Sequence, residues 1–389
     1  MSRLLICIFA HCTKDMSHTI DKRFQTQCLD LLRFPLAVII LYIHIFNNAS
    51  AIATDELTSG GEFLHFVDSI IKAFLSGQSV PIYFFISGYV FFWGGKLDVN
   101  IYLRKLRNRI HSLFIPYIVW NTVALLTILF FMLPWFASVN PLEQEPHFTL
   151  SSLLNTYWNS EKGVFATPEL TGHIFPQNQA MWFLRDLMVL ALLSPIIYFT
   201  IKHGKIYSII TFAILWLLTD YYSFHDFYFP FQGLFFFSWG SYMSINQRDL
   251  IADMGRVKVP GFMLYILLSI AHIVLQPHSP EATTIIKACN MWVGVIVAFN
   301  TAAILLNSGK CRVNRFLASS AIFIYLAQTM CAKYIFKALM ILTGTDSGYI
   351  VVLITIVTLL LSLGLLLCLY HVMRRYTPSL LYIMIGRKE

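Results

Sequence analysis

The sequence predicts an all-α, polytopic membrane protein of about ten transmembrane helices, and three observations carry that prediction. Of its 389 residues 57% are hydrophobic and only 12% charged, with mean hydropathy +0.66. Soluble domains carry about 25% charged residues, so this chain has too few charges to cover a water-facing surface. Apolar stretches of about 20 residues, the length needed to cross a bilayer, recur along the whole chain. The segments between them alternate between basic and basic-poor, the pattern of the positive-inside rule.

The stretches run in order as follows. The first, 31–48, comes after Arg3, Lys14, Lys22 and Arg23. The second, 63–93, is longer than a bilayer requires and contains Pro81, which predicts a tilt or kink. Lys96, Arg104, Lys105, Arg107 and Arg109 follow it. The third, 112–135, leads into the longest polar segment, 136–180, which reads as an external loop with a surface-lying stretch at 148–158. Stretches 181–202 and 205–220 are joined at Lys202 and Lys205, and 228–246 is followed by Arg248, Arg256 and Lys258. Stretches 257–276 and 284–307 precede Lys310, Arg312 and Arg315. The last two, 315–342 and 349–373, end at Arg374, Arg375, Arg387 and Lys388. The opposite set of connections holds one basic residue, Lys162, beside acids such as Asp55, Glu62 and Glu161. The alternation predicts both termini on the cytoplasmic side. Residues 1–24 read as an N-terminal extension and 25–389 as one transmembrane domain.

The net charge of +8 is spread over loops as a topology signal. A nucleic-acid partner needs a basic stripe with interleaved aromatics, so that class is excluded. The seven cysteines form no C-x-x-C pair, which indicates neither a disulfide framework nor a metal site.

Residues 29–44, LDLLRFPLAVIILYIH, place Arg33 and His44 in an otherwise apolar helix. Eleven residues at 100° each end about 20° beyond three turns, so the two share a face, roughly 16 Å apart along it. Asp30 stands three residues before Arg33, on the same side. Ionisable side chains at such depth face a bundle interior or a water-filled cavity. Two readings fit. One is a structural Asp–Arg pair with a hydrogen-bonded histidine. The other is a polar path from the cytoplasmic rim to an imidazole placed for proton transfer.

Arg-x10-His with the preceding Asp resembles the first-helix signature of the acyltransferase-3 family of membrane O-acyltransferases. Other blocks stand in the family's order: VPIYFFISGYVFF (80–92), YLRKLRNRIHSLFIPYIVWN (102–121), MWFLRDLMVLALLSPIIY (181–198), AIFIYLAQT (321–329) and TPSLLYIMIGRK (377–388). The resemblance spans about 28 to 388 and is nearest to members that acetylate polysaccharides and sugar-containing lipids. Phe34-Pro35 replaces the small residue that usually follows the arginine, and Gln328 stands where a late histidine is often found.

The resemblance implies transfer of an acyl group, usually acetyl from cytoplasmic acetyl-CoA, to a hydroxyl of a glycan or lipid-linked saccharide. It implies no permanently bound cofactor and a setting in the bacterial cytoplasmic membrane, among membrane lipids. His44, with Arg33 and Asp30, is the expected catalytic group. Arg104, Arg107 and Arg109 are expected at the donor's phosphates, and Ser87 and Gly88 beside its chain. Trp182, Arg185 and Asp186 are expected to meet the sugar where their helix enters from outside, with Gln328 and Lys333 as further acceptor contacts. The basic cluster equally suits anionic lipid, Ser87-Gly88 simple helix packing, and Trp182 an aromatic belt. A glycan or small-molecule transporter is the alternative function. It predicts an inverted repeat, and Arg33 and His44 have no counterpart in the second half.

Overall fold

The computed structural model describes residues 22–52, 59–133, 135, 146–165, 174–222, 229–276 and 279–387. Most of the predicted N-terminal extension, residues 1–21, lies outside them. The described chain is helical: α1 (Lys22–Ile52), α2 (Gly61–Ile71), α3 (Gly77–Phe91), α4 (Val99–Arg109), α5 (Ile115–Phe131), α6 (Leu150–Thr156), α7 (Trp182–Leu192), α8 (Ser194–Tyr222), α9 (Phe231–Ile245), α10 (Leu250–Arg256), α11 (Lys258–Leu275), α12 (Pro280–Asn307), α13 (Arg315–Thr343), α14 (Gly348–Tyr376) and α15 (Pro378–Ile385).

Among the described residues eight helices are long and apolar enough to cross a membrane, where the sequence predicts ten. The difference has two causes. Helix α9 has 15 residues and α7 has 11, short of a full crossing. The residues of α8 also hide a break, because Lys205 sits at φ 48° and ψ −126°. The Ser208 hydroxyl donates to the Thr200 carbonyl at 2.7 Å. Eight residues of straight helix would separate them by about 12 Å, so the chain reverses at Lys205, between the predicted stretches.

One end of the bundle gathers the basic connections. There Gln25 donates to Asp249 at 3.2 Å, Tyr89 donates to Gln25, and Asn300 donates to the Met254 carbonyl at 2.9 Å. At the other end the Gly348 amide donates to the Ser59 carbonyl at 2.7 Å. Cysteines introduced at positions 98 and 310 should therefore label from one side of the membrane and a cysteine at 162 from the other. Labelling of 98 and 162 from the same side would overturn that arrangement.

The second stretch holds a single π-helical turn, Lys72–Ser76, upstream of Pro81. Such a turn frees carbonyls from the helical ladder. Ala73 accepts from Asn290 at 2.8 Å and Ser269 at 3.2 Å, and Phe74 accepts from the Tyr265 hydroxyl at 2.5 Å. Helices α11 and α12 thus seal the opening.

Helices α3 and α9 cross most closely at two glycines. A β-carbon on Gly88 would lie 1.9 Å from the Phe237 carbonyl oxygen, and one on Gly240 would lie 2.0 Å from that of Phe85. Of the two readings of Gly88, this contact is the helix-packing one, since the α9 backbone fills that space.

The polar segment after α5 also differs from expectation. Its described part, 146–165 and 174–181, is no surface loop. It runs back along α5 from Leu129 and Met132, which pack near Val164 and Phe165, to Tyr117, whose hydroxyl donates to the Tyr157 carbonyl. Irregular backbone survives at such depth only where protein satisfies it. Here the Val164 amide donates to the Thr156 hydroxyl at 3.0 Å, and the Asn178 amide to the Asn121 side chain at 3.0 Å. Tyr325 donates to the Ala180 carbonyl. The outward face keeps apolar residues exposed, among them Phe148, Leu150 and Leu154, as a lipid-facing surface would.

Candidate functional site

Helix α1 passes through Pro35 without ending and packs against α13, α14, α12 and α3. Its buried sector carries Leu29, Leu36, Ala37, Ile40 and Leu41. Helical periodicity places Arg33 and His44 in the middle of that sector. Even so, the Arg33 and Asp30 side chains keep 31% and 30% of their surface, and His44 is only half-buried. Polar side chains that keep surface between buried neighbours line a gap in the packing. The Arg33 guanidinium pairs with Asp30 at 2.7 Å, and the Tyr83 hydroxyl donates to the Arg33 carbonyl at 2.5 Å. Among the described residues no hydrogen bond reaches the His44 ring.

Ser87 lies one turn beyond Tyr83 on the face turned towards Arg33, and it is half-buried. The basic cluster sits below it. The Lys105 ammonium donates to the Phe91 carbonyl at the end of α3 and lies 5.0 Å from the Phe91 ring centre. The Arg109 guanidinium lies over the same ring at 5.4 Å. Arg104 and Arg107 are exposed, and among the described residues neither has an ion-pair partner. Arg109 is thus tied to the mouth next to Ser87, while Arg104 and Arg107 face outward.

The group expected at the outer entrance is elsewhere. Phe183 lies 6.0 Å from Tyr83 and 4.6 Å from Phe84, and Trp182 is 6.2 Å from Phe84. That puts the start of α7 at the depth of Arg33, because the re-entrant segment carries it inward. Arg185 and Asp186 are 1% and 2% exposed. Arg185 reaches Asp186 at 3.3 Å and donates to the Trp158 and Ile174 carbonyls at 3.1 and 3.0 Å. Its guanidinium also stacks 5.1 Å from the Trp158 ring centre. In the structure the pair acts as the clasp of the re-entrant segment.

Of the two late-helix residues, Gln328 is fully buried, and among the described residues neither of its amide atoms has a partner. It stands one turn beyond Tyr325, whose ring is 5.8 Å from Phe183, and so lies between the levels of Arg33 and His44. Lys333 is exposed on the outer surface of α13 and does not join the others. Two shallow clefts at the basic end are lined by residues of α9, α10 and the turn between them, such as Tyr242, Asp253 and Arg248; neither reaches Arg33 or His44.

Sequence reasoning missed Arg387. The chain folds back after α14, and Arg387 comes within electrostatic reach of Arg33 and Asp30. Its place in the closing block GRK was visible, but its neighbours were not. It also passed over Asp68 and Lys72, an i,i+4 ion pair at 2.6 Å inside the second stretch, and Tyr83.

The arrangement offers an imidazole with no hydrogen-bond partner among the described residues, an arginine–carboxylate pair below it, and a basic rim. That set suits transfer of a group from an anionic carrier. Comparison with curated proteins and with solved structures returned no match. The family profile described as "Acyltransferase domain" matches residues 26–371, a range that takes in Arg33, His44, the basic rim and Gln328 and stops just short of α15. The chain is an integral membrane protein and belongs to the acyltransferase-3 family.

Proposed function

We propose that this acyltransferase moves an acetyl group from acetyl-CoA on the cytoplasmic side to a hydroxyl of a cell-envelope glycan or lipid-linked saccharide. The observation that carries the proposal is the shared face of Arg33 and His44, sunk in the buried sector of α1 yet still accessible. We take the basic end as cytoplasmic, the chain as crossing a bacterial inner membrane ten times, and both termini as lying inside.

In this reading the CoA phosphates meet the basic rim, where arginine grips phosphate bidentately. The acyl-bearing arm rises past Ser87 and Tyr83 towards His44. The acceptor hydroxyl oxygen attacks the thioester carbonyl as His44 takes its proton. The new C–O bond forms, the C–S bond breaks, and the proton passes to the departing thiolate. Gln328, buried between the two levels with no partner for its amide among the described residues, is the group we assign to an acceptor hydroxyl or the thioester oxygen.

The test is donor binding by the purified protein. Acetyl-CoA should bind, and changing Arg107 and Arg109 together to Ala should weaken binding about tenfold or more at low salt, since hydrogen bonds to charged groups contribute about 1.5–3 kcal/mol each. The loss should shrink at high salt. Unchanged donor affinity in the double variant would reduce the cluster to a topology signal. A wild-type protein that acylates its acceptor only from a donor lacking CoA would overturn the donor.

A further inference from the structure

Of the two clefts at the basic end, one is lined by Lys22, Tyr89, Trp93, Gly94, Gln247 and Arg248. It lies where the start of α1 meets the ends of α3 and α9. Hydrogen bonds between distant segments build it. The Tyr89 hydroxyl donates to Gln25, which in turn donates to Asp249 at 3.2 Å. The Gln247 amide donates to the Ser244 carbonyl at 2.7 Å. The chain leaves α3 through Gly94 and Gly95, at φ +96° and +73°, values that favour glycine. A β-carbon on Gly95 would lie 2.7 Å from the Gln247 amide nitrogen, so this turn rests directly on Gln247.

Two kinds of side chain meet in the cleft. Trp93 stands 5.4 Å from Tyr89 with the rings at 89°, and it keeps 39% of its surface. Lys22 is exposed, and Arg248 is held by Asp253 at 2.6 Å. A tryptophan of an aromatic belt faces lipid, whereas this one lines a concavity that also holds two cations. A nucleobase stacks on an aromatic face, and cations beside that face hold phosphate. The combination therefore favours a nucleotide over a simple anion. The cleft has about 290 Å³ of open space, just under the range of small-ligand pockets, about 300–1,000 Å³. It suits one end of a long molecule.

Its position agrees. Lys22 stands eleven residues before Arg33, as Arg33 does before His44. The three thus lie within about 40° of one line along α1, roughly 16 Å apart in turn. Trp93 follows Phe92, whose ring centre lies 5.7 Å from the Lys105 ammonium, so the cleft adjoins the basic rim. We propose that this cleft is an adenine-nucleotide subsite, which stacks the base of the acyl donor on Trp93 and holds a phosphate with Lys22. The proposal rests on the donor reading given above, and it gives the base a seat that the rim does not provide.

The experiment uses the full chain in phosphatidylcholine nanodiscs, with coenzyme A, its adenosine bisphosphate fragment and inorganic pyrophosphate as probes. The fragment should compete with coenzyme A. Trp93→Ala should weaken binding of both about tenfold, within the range for loss of one stacked base. Pyrophosphate binding and the unfolding temperature should stay at the parent values. Trp93→Phe should recover part of the loss. Lys22→Ala should weaken both nucleotides and make their affinity fall less steeply with salt.

Parental coenzyme A affinity in Trp93→Ala and Lys22→Ala would overturn the subsite and leave the donor reading standing. An equal loss for pyrophosphate in Trp93→Ala would mark a structural defect at the mouth and overturn the stacking. If the parent ignores coenzyme A but binds the fragment through Trp93, the donor reading fails and the subsite stands, with another adenine nucleotide as its ligand. If it binds neither, both fail.

Discussion

Replacing His44 by Ala is expected to lower acyl transfer by roughly 10²–10⁴-fold, the contribution of a positioned acid–base group. His44→Gln should do little better, because an amide keeps hydrogen bonding but offers no usable base. Membrane insertion should survive, since removing a polar group from mid-helix eases it. The geometry favours this outcome: the ring lies on the buried sector, stays accessible, and among the described residues has no hydrogen-bond partner whose loss would unfold the bundle. The companion change Arg33→Lys keeps the charge that faces Asp30 at 2.7 Å but loses the planar fork. It should impair transfer less than Arg33→Ala and still fall below the parent. The readout is acylated product per amount of protein in the membrane. Near-normal transfer by His44→Ala would remove the histidine from the chemistry.

Arg185→Ala should be the most destabilising single change, costing about 3–5 kcal/mol, as expected when a buried ion pair loses one partner. It would leave Asp186 buried without its guanidinium and take the donor from the Trp158 and Ile174 carbonyls. Arg185→Lys should not restore stability, because one ammonium cannot span the two carbonyls and Asp186 in the same geometry. The expected signs are a clear fall in melting temperature and new protease cleavage within the re-entrant segment, together with loss of activity. A variant that melts like the parent but has lost acceptor affinity would return Arg185 to a sugar-binding role.

Some of the candidate site was legible in sequence because it depends on spacing within one helix. Asp30, Arg33 and His44 fall on a common face by periodicity alone, and the structure puts that face in the bundle. Ser87 and Arg109 were legible by their order along the chain, and the structure places Arg109 over the Phe91 ring one turn beyond Ser87. Trp182, Arg185 and Asp186 were read on the wrong level for a physical reason. A polar segment between apolar stretches looks like a surface loop unless its backbone is known to be satisfied internally. Asn121, Thr156, Asn178 and Arg185 do that work here through contacts far apart in sequence. At Gly88 the sequence left helix packing and donor approach open, since a small residue signals close approach without saying of what.

The sequence by itself determined the helical membrane class, the face shared by Arg33 and His44, and the family. Each follows from composition or from periods of a few residues, which covalent chain and solvent enforce locally. Tertiary structure alone decided that α8 reverses at Lys205, that 146–165 and 174–181 turn back into the bundle, and that the chain after α14 returns to α5 through Met384 and Trp120. Those outcomes depend on which distant groups satisfy a carbonyl, fill the space beside a glycine or oppose a charge, and such pairings leave no local period to read.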